Sequence, residues 1–201
     1  MAADGSGDRA PAGEQPPGPV SHAAPGLELV LAALPAGQSW RILDLGPAVP
    51  DNVALFGPRA ARLQIVDLLR GRAHGAEIGA LAGLASEHPR SFDLVLAWDV
   101  LDYLSADQAT GVIEVLGDLC RRSGILHALI AAADTIPAAP GSYRILADGR
   151  LRRELPDAGV VGAPNLTPAE VEKLLVGFRV EHAFVLSRGV REYVARRSNE
   201  E

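Results

Sequence analysis

Three short apolar runs, at residues 42–45, 63–66 and 92–97, each run into an acidic or glycine-bearing turn, and this pattern constrains the chain more than any other feature. Strands buried on both faces of a parallel sheet read as continuous apolar runs, and their carboxyl ends converge on the crevice where open α/β sheets hold ligands. Gly46 closes the first run and permits a sharp turn where a side chain would collide with a ligand or with the next helix. Asp67 closes the second, twenty-one residues beyond Gly46. An acid at that place can accept hydrogen bonds from both hydroxyls of a ribose, so the pairing points to an adenosine-type ligand.

The chain has 201 residues, 48% of them apolar, enough for one sizeable core in one domain. Residues 1–25 hold five prolines and four glycines and almost no large apolar side chains, so a disordered tail is expected there, with one folded domain over 26–201. A net charge of −6 argues against nucleic acid as a partner. A single cysteine, Cys120, excludes an intrachain disulfide and a cysteine-rich metal site. No leader pattern and no run near the ~20 apolar residues of a membrane span are present, so a cytoplasmic protein without membrane contact is expected. Lys173 is the sole lysine and follows Glu172, so no Gly-Lys pair exists and a P-loop is excluded. The histidines (His22, His74, His88, His127, His182) lack metal-ligand spacing, and no metal is expected; His127, inside an apolar run, reads as a hydrogen-bonded core residue.

Leu27, Val30, Leu31 and Leu34 repeat at helical spacing, and Asp51 or Asn52 can cap a short helix that ends at Phe56 before Gly57 and Pro58. Only twenty-four residues separate Asp67 from Phe92, an interval that has to hold a helix and a third strand. Residues 68–72 can start a helix there, and residues 77–84 can supply one short element. Ser105 and Gln108 form a capping-box pattern for a helix expected to end near Arg121, Arg122 and Gly124, and residues 125–132 read as a buried strand. Thr167 and Glu170 repeat the box with Pro168 at the first helical position. Residues 179–186 and 190–196 are joined too tightly for anything but an antiparallel hairpin. Between the buried strand and the last helix lies an insertion at about 142–155 whose Asp148-Gly149 pair signals a second hairpin. Arg144, Arg150, Arg152 and Arg153 are candidates there for an anionic group on a substrate, although such charge more often marks a solvated face.

On Leu43-Asp-Leu-Gly46, Ile65-Val-Asp67 and Phe92-Asp-Leu-Val-Leu-Ala-Trp98-Asp99-Val-Leu101, the chain resembles the class I S-adenosylmethionine-dependent methyltransferases, notably their small bacterial, type 11/12-like members. The likeness runs from about residue 27 to 197. It implies a three-layer, Rossmann-like α/β sandwich with a mostly parallel sheet closed by a C-terminal antiparallel hairpin. It further implies S-adenosylmethionine as cofactor, with Asp44, Gly46, Pro47 and Ala48 beside its methionine part. Asp67 would then hold the ribose with Leu68 next to it, and Trp98 and Asp99 would line the pocket. A small-molecule methyl acceptor would approach Asp99 and Tyr103, the catalytic candidates. The chain departs from the family's Asp/Glu-x-Gly-x-Gly-x-Gly loop, because only Gly46 survives and Pro47 and Pro50 offer no N–H.

Two other readings stand beside methyl transfer. The lost glycines suggest a non-catalytic descendant of the fold that serves as an interaction or regulatory protein. A weaker third reading is a nicotinamide-dependent oxidoreductase, whose late strands would stay parallel where this chain turns a hairpin.

Overall fold

The computed structural model describes residues 20–34, 39–70, 75–187 and 189–198. In chain order the elements are β1 (Val20–His22), α1 (Pro25–Ala33), β2 (Trp40–Asp44), α2 (Pro50–Phe56), β3 (Ala60–Ile65), α3 (Gly75–Glu87), β4 (Phe92–Trp98), α4 (Ala106–Leu119) and β5 (Cys120–Ala131). There follow β6 (Thr135–Pro137), β7 (Ser142–Ile145), β8 (Leu151–Glu154), β9 (Val160–Gly162), α5 (Pro168–Leu174), β10 (Phe178–Leu186) and β11 (Val190–Arg197).

The central sheet runs β10-β11-β5-β4-β2-β3. Its pairs β2/β3, β2/β4 and β4/β5 are parallel, and β11 joins β5 antiparallel as part of the closing β10/β11 hairpin. Every residue of β4 is buried. Because successive side chains point to opposite faces, Val95 and Ala97 pack with Leu43, Leu126 and the helices α4 and α5, whereas Leu94 and Leu96 pack with Ile42, α1 and Phe56 of α2. Two cores on one sheet make the three-layer sandwich that the alternating elements imply.

Both capping boxes form. Ser105 Oγ accepts the Gln108 N–H at 3.3 Å while the Gln108 side chain accepts the Ser105 N–H at 3.0 Å, and Thr167 and Glu170 make the equivalent pair. Gly149 turns the insertion hairpin in the left-handed region at φ 81°.

Several local expectations are corrected. Helix α4 ends at Leu119 and β5 opens at Cys120, which pairs with Phe92 of β4, so Arg121 and Arg122 lie within β5, in the stretch before Ile125 where its register with β4 shifts. Helix α2 begins at Pro50, with no side-chain cap, so neither Asp51 nor Asn52 caps it. Proline at a first helical position loses only an N–H that the helix would leave unpaired. No strand lies between β3 and β4 among the described residues; the short interval is taken by α3, which leaves β3 as a sheet edge. Residues 71–74, which include His74 and the end of the helix start expected at 68–72, lie outside the described residues, and so do 1–19 of the expected tail. Near the end of that tail, Val20–His22 is instead a strand, paired antiparallel with β8.

Strand β1 joins β8 and β7 in a second, three-stranded sheet, and β6 pairs with β9 in a small ribbon. The insertion therefore extends beyond the expected hairpin. Together with β1 it forms a cap over the carboxyl ends of β2 and β4, held there by the contacts described below. Among the described residues, no helix is long and apolar enough to cross a membrane.

Leu96 is fully buried at the centre of β4, so Leu96→Ala is expected to lower unfolding free energy by about 3 kcal/mol in urea titrations. Val185, 82% exposed on the edge strand β10, should tolerate alanine within about 0.5 kcal/mol.

Candidate functional site

The carboxyl ends of β2, β3 and β4 lie side by side, and backbone hydrogen bonds lock the turns that follow them. Val66 N–H donates to Asp44 O at 2.8 Å, Leu68 N–H to Leu45 O at 3.1 Å, and Leu45 N–H to Leu96 O at 3.0 Å. Asp44, Asp67 and Trp98 are thereby brought to one edge of the sheet. The Asp44 carboxylate accepts the Gly46 N–H at 3.0 Å. Burial pushes its pKa up to about 6, against that hydrogen bond and with help from the neighbouring negative charge of Asp67. Asp67 itself is only half-buried, while Leu68 is fully buried in the core.

Gly46 does not adopt a positive φ, and a Cβ placed there would meet only the Asp44 carboxylate, at 3.4 Å. The glycine is therefore not demanded by the turn itself. Pro47 and Ala48 are exposed.

Asp99 follows β4 in the left-handed region at φ 59°, an uncommon conformation for a residue with a side chain. Its buried carboxylate accepts the Tyr143 hydroxyl at 2.8 Å and is ion-paired with Arg153, both from the cap. Burial pushes its pKa up against the pull of the guanidinium and the hydroxyl. Asp102 accepts the Ala131 N–H at 2.9 Å and so ties the end of β5. Burial, then the charge of Asp99, raise its pKa to about 7. The Tyr103 hydroxyl donates to the carbonyls of Pro137 and Ala139 at 3.0 and 3.2 Å. With its pKa pushed up to about 12 by burial, it is a neutral donor at the root of the cap.

The cap closes the crevice. Asn52, buried inside α2, donates to Tyr143 O at 2.7 Å and accepts the Ile145 N–H at 2.9 Å. The Tyr143 ring stands edge-on to Trp98 with centroids 5.9 Å apart. Between Asp44, Gly46, Pro47, Trp98 and Tyr143 there remains a cavity of about 10 Å³, room for about one water. Pockets for drug-sized ligands measure about 300–1,000 Å³. A nucleoside-sized ligand does not fit within this cavity while residues 141–143 stand in its wall.

Of the insertion's arginines, Arg144 pairs with Asp51 at 2.9 Å and Glu154 at 3.4 Å, and Arg150 holds Ser21 of β1 at 3.1 Å. With Arg153 on Asp99, these cations hold the cap together and to the body, while Arg152 is exposed. Sequence reasoning overlooked Asn52 as a clamp and Tyr143 as a partner of Asp99. The only signals for them were an asparagine beside an expected helix start and an aromatic residue in an arginine-rich hairpin. Among the described residues no cluster of His, Cys, Asp and Glu is arranged to hold a metal.

A carboxyl whose folded pKa lies above its unfolded value of 3.8 penalises the fold progressively as pH rises from about 4 to 7. Asp102→Asn, which keeps an acceptor for Ala131 and carries no charge, should therefore gain stability relative to wild type between pH 4 and pH 8. Paired urea titrations across that range measure the change.

No protein-family model and no curated protein matches the sequence. Solved structures do. An S-adenosylmethionine-dependent methyltransferase from Mesorhizobium loti aligns at 19% identity over 86% of this chain and 96% of its own, with a TM-score of 0.55. The Burkholderia thailandensis 1,6-didemethyltoxoflavin N1-methyltransferase, solved with its substrate and S-adenosylhomocysteine, aligns at 21% identity over 87% of this chain and 77% of its own, with a TM-score of 0.54. The N-methyltransferase NodS from Bradyrhizobium japonicum, in complex with S-adenosylhomocysteine, aligns at 16% identity over 87% of this chain and 86% of its own, with a TM-score of 0.52. With its six-stranded, mostly parallel sheet and closing hairpin, the chain has the fold of the class I S-adenosylmethionine-dependent methyltransferases.

Proposed function

We propose that the chain is an S-adenosylmethionine-dependent methyltransferase for a small-molecule acceptor, and that its cap lifts to admit the cofactor. The observation that carries this reading is the convergence of Asp44, Asp67 and Trp98-Asp99 at the carboxyl ends of three adjacent parallel strands in a sheet of this fold. The donor set suits the cofactor. A half-buried carboxylate at Asp67 can accept both ribose hydroxyls, and the open Pro47-Ala48 turn after Gly46 leaves a path for the methionine part. The space does not suit it until residues 141–143 withdraw.

The sulfonium supplies its own activation for methyl transfer, so the chain's residues orient, desolvate and at most hold a proton. Asp99 is released from Tyr143 and Arg153 when the cap lifts, and it then faces the acceptor side as a carboxylate. Tyr103 stays on its two carbonyls and fixes where the insertion departs from the body.

A second reading is a non-catalytic interaction protein, favoured by the cavity of about 10 Å³ and by a loop whose Gly46 N–H is already spent on Asp44. Titration calorimetry with S-adenosylhomocysteine separates the two. Methyl transfer requires that wild type binds and that Asp67→Ala weakens binding at least about tenfold, the cost of losing charge-assisted hydrogen bonds. No heat at millimolar ligand supports the interaction protein. Asn52→Ala, which removes two hydrogen bonds from the cap and no charge from the crevice, is expected to tighten binding several-fold, because less free energy is spent on opening. Unchanged affinity in that variant would contradict a closed cap.

A further inference from the structure

We infer that His127 and Glu192 are positioning residues which fix the Trp98 indole in the crevice wall and couple its placement to the docking of helix α1. Three buried hydrogen bonds carry the inference. Trp98 Nε1–H donates to His127 Nδ1 at 2.7 Å. An indole nitrogen only donates, so Nδ1 must accept and the imidazole proton lies on Nε2. His127 Nε2–H then donates to Glu192 Oε1 at 2.8 Å.

The chain of bonds continues past the carboxylate. Glu192 accepts the Gly26 N–H and the Leu27 N–H, each at 2.8 Å. Those amides belong to the first turn of α1, which has no side-chain cap of its own. The glutamate from β11 satisfies them in its place and meets the positive end of the helix. His127 and Glu192 are 0% exposed. A Cβ at Gly26 would lie 2.7 Å from Glu192 Cδ, so the helix approaches this closely only because residue 26 is glycine.

Burying a carboxylate, an imidazole and two backbone amides costs free energy that an apolar core would avoid, unless every polar group is paired. Here each finds its partner, and the series ends on the aromatic wall of the crevice rather than inside the core. In the closed form Trp98 also has Tyr143 against it, edge-on. When Tyr143 withdraws with the cap, the bond to His127 keeps the indole from turning into the space that the ligand would occupy. The consequence for ligand affinity rests on the cofactor reading above, whereas the coupling to α1 does not.

The chain has two tryptophans, Trp40 and Trp98. The indole N–H region of a ¹⁵N NMR spectrum therefore isolates Trp98 once Trp40→Phe assigns the other signal. Gly26→Ala, at the far end of the series, should shift the Trp98 indole resonance, and His127→Leu should speed its hydrogen exchange at least about tenfold. His127→Gln, whose amide can accept from Trp98 and donate to Glu192, should restore slow exchange. In calorimetry His127→Leu should weaken S-adenosylhomocysteine at least about tenfold, with His127→Gln within about threefold of wild type. An unmoved Trp98 resonance in Gly26→Ala overturns the coupling. Equal affinity in His127→Leu and wild type overturns the positioning role. If wild type takes up no S-adenosylhomocysteine, the methyl-transfer reading and the positioning role toward cofactor fall together, and the Gly26→Ala spectrum alone decides the coupling.

Discussion

The Asp99 carboxylate is the hinge of this architecture. It sits at the buried tip of β4, in a backbone conformation that few side chains accept, and its ion pair and its side-chain hydrogen bond both come from the cap. A carboxylate in that place is costly without partners, and burial already drives its pKa upward. Seating Tyr143 and Arg153 offsets the cost. It also brings the Tyr143 ring against Trp98 and the β7 backbone within reach of Asn52. The same strand that delivers Arg153 pairs with β1, which leads directly into α1. One buried charge thus draws together the N-terminal strand, the insertion and the ends of the sheet.

That arrangement gives the altered glycine loop a physical meaning. A loop that offers its N–H groups to a ligand must leave them unpaired in the free protein. Here the Gly46 N–H is satisfied by Asp44, Pro47 has none to offer, and the missing donor of Pro50 falls at a helix start, where it costs least. The loop is at rest with the crevice shut. Under the proposed function, ligand binding beneath the cap would draw on the free energy of opening, and apparent affinity would report the cap as much as the site.

Much of the scaffold was legible in the residues. The apolar run of 92–97, broken only by Asp93, the two capping boxes and the tight connection before Val190 are local signals, and each has a single good structural solution. The errors fall where non-local pairing wins over local pattern. Arg121 and Arg122 look like the cationic end of a helix, yet they lie in β5, between the Cys120 and Ile125 pairings with β4, and Arg121 is ion-paired with Asp93 of β4. Val20–His22 continues the tail in sequence and is a strand through pairing with β8, over a hundred residues away, with Arg150 and Ser187 also bonded to it. At the candidate site, Asp44, Asp67 and Trp98-Asp99 announced themselves by their place at strand ends. The roles of Asn52 and Tyr143 did not, and Arg153 was legible only as a candidate for a substrate anion, because a polar pair that spans 44 to 93 residues leaves no periodic trace in a single sequence.

A crystal structure grown with S-adenosylhomocysteine tests the central claim most directly, namely that a cofactor crevice lies closed beneath a cap latched on Asp99. The account requires the nucleoside's ribose on Asp67, its amino-acid end over Gly46, and Tyr143 withdrawn from both Trp98 and Asp99. A ligand-free crystal from millimolar S-adenosylhomocysteine, with Tyr143 still hydrogen-bonded to Asp99 and the cavity still filled, would contradict it.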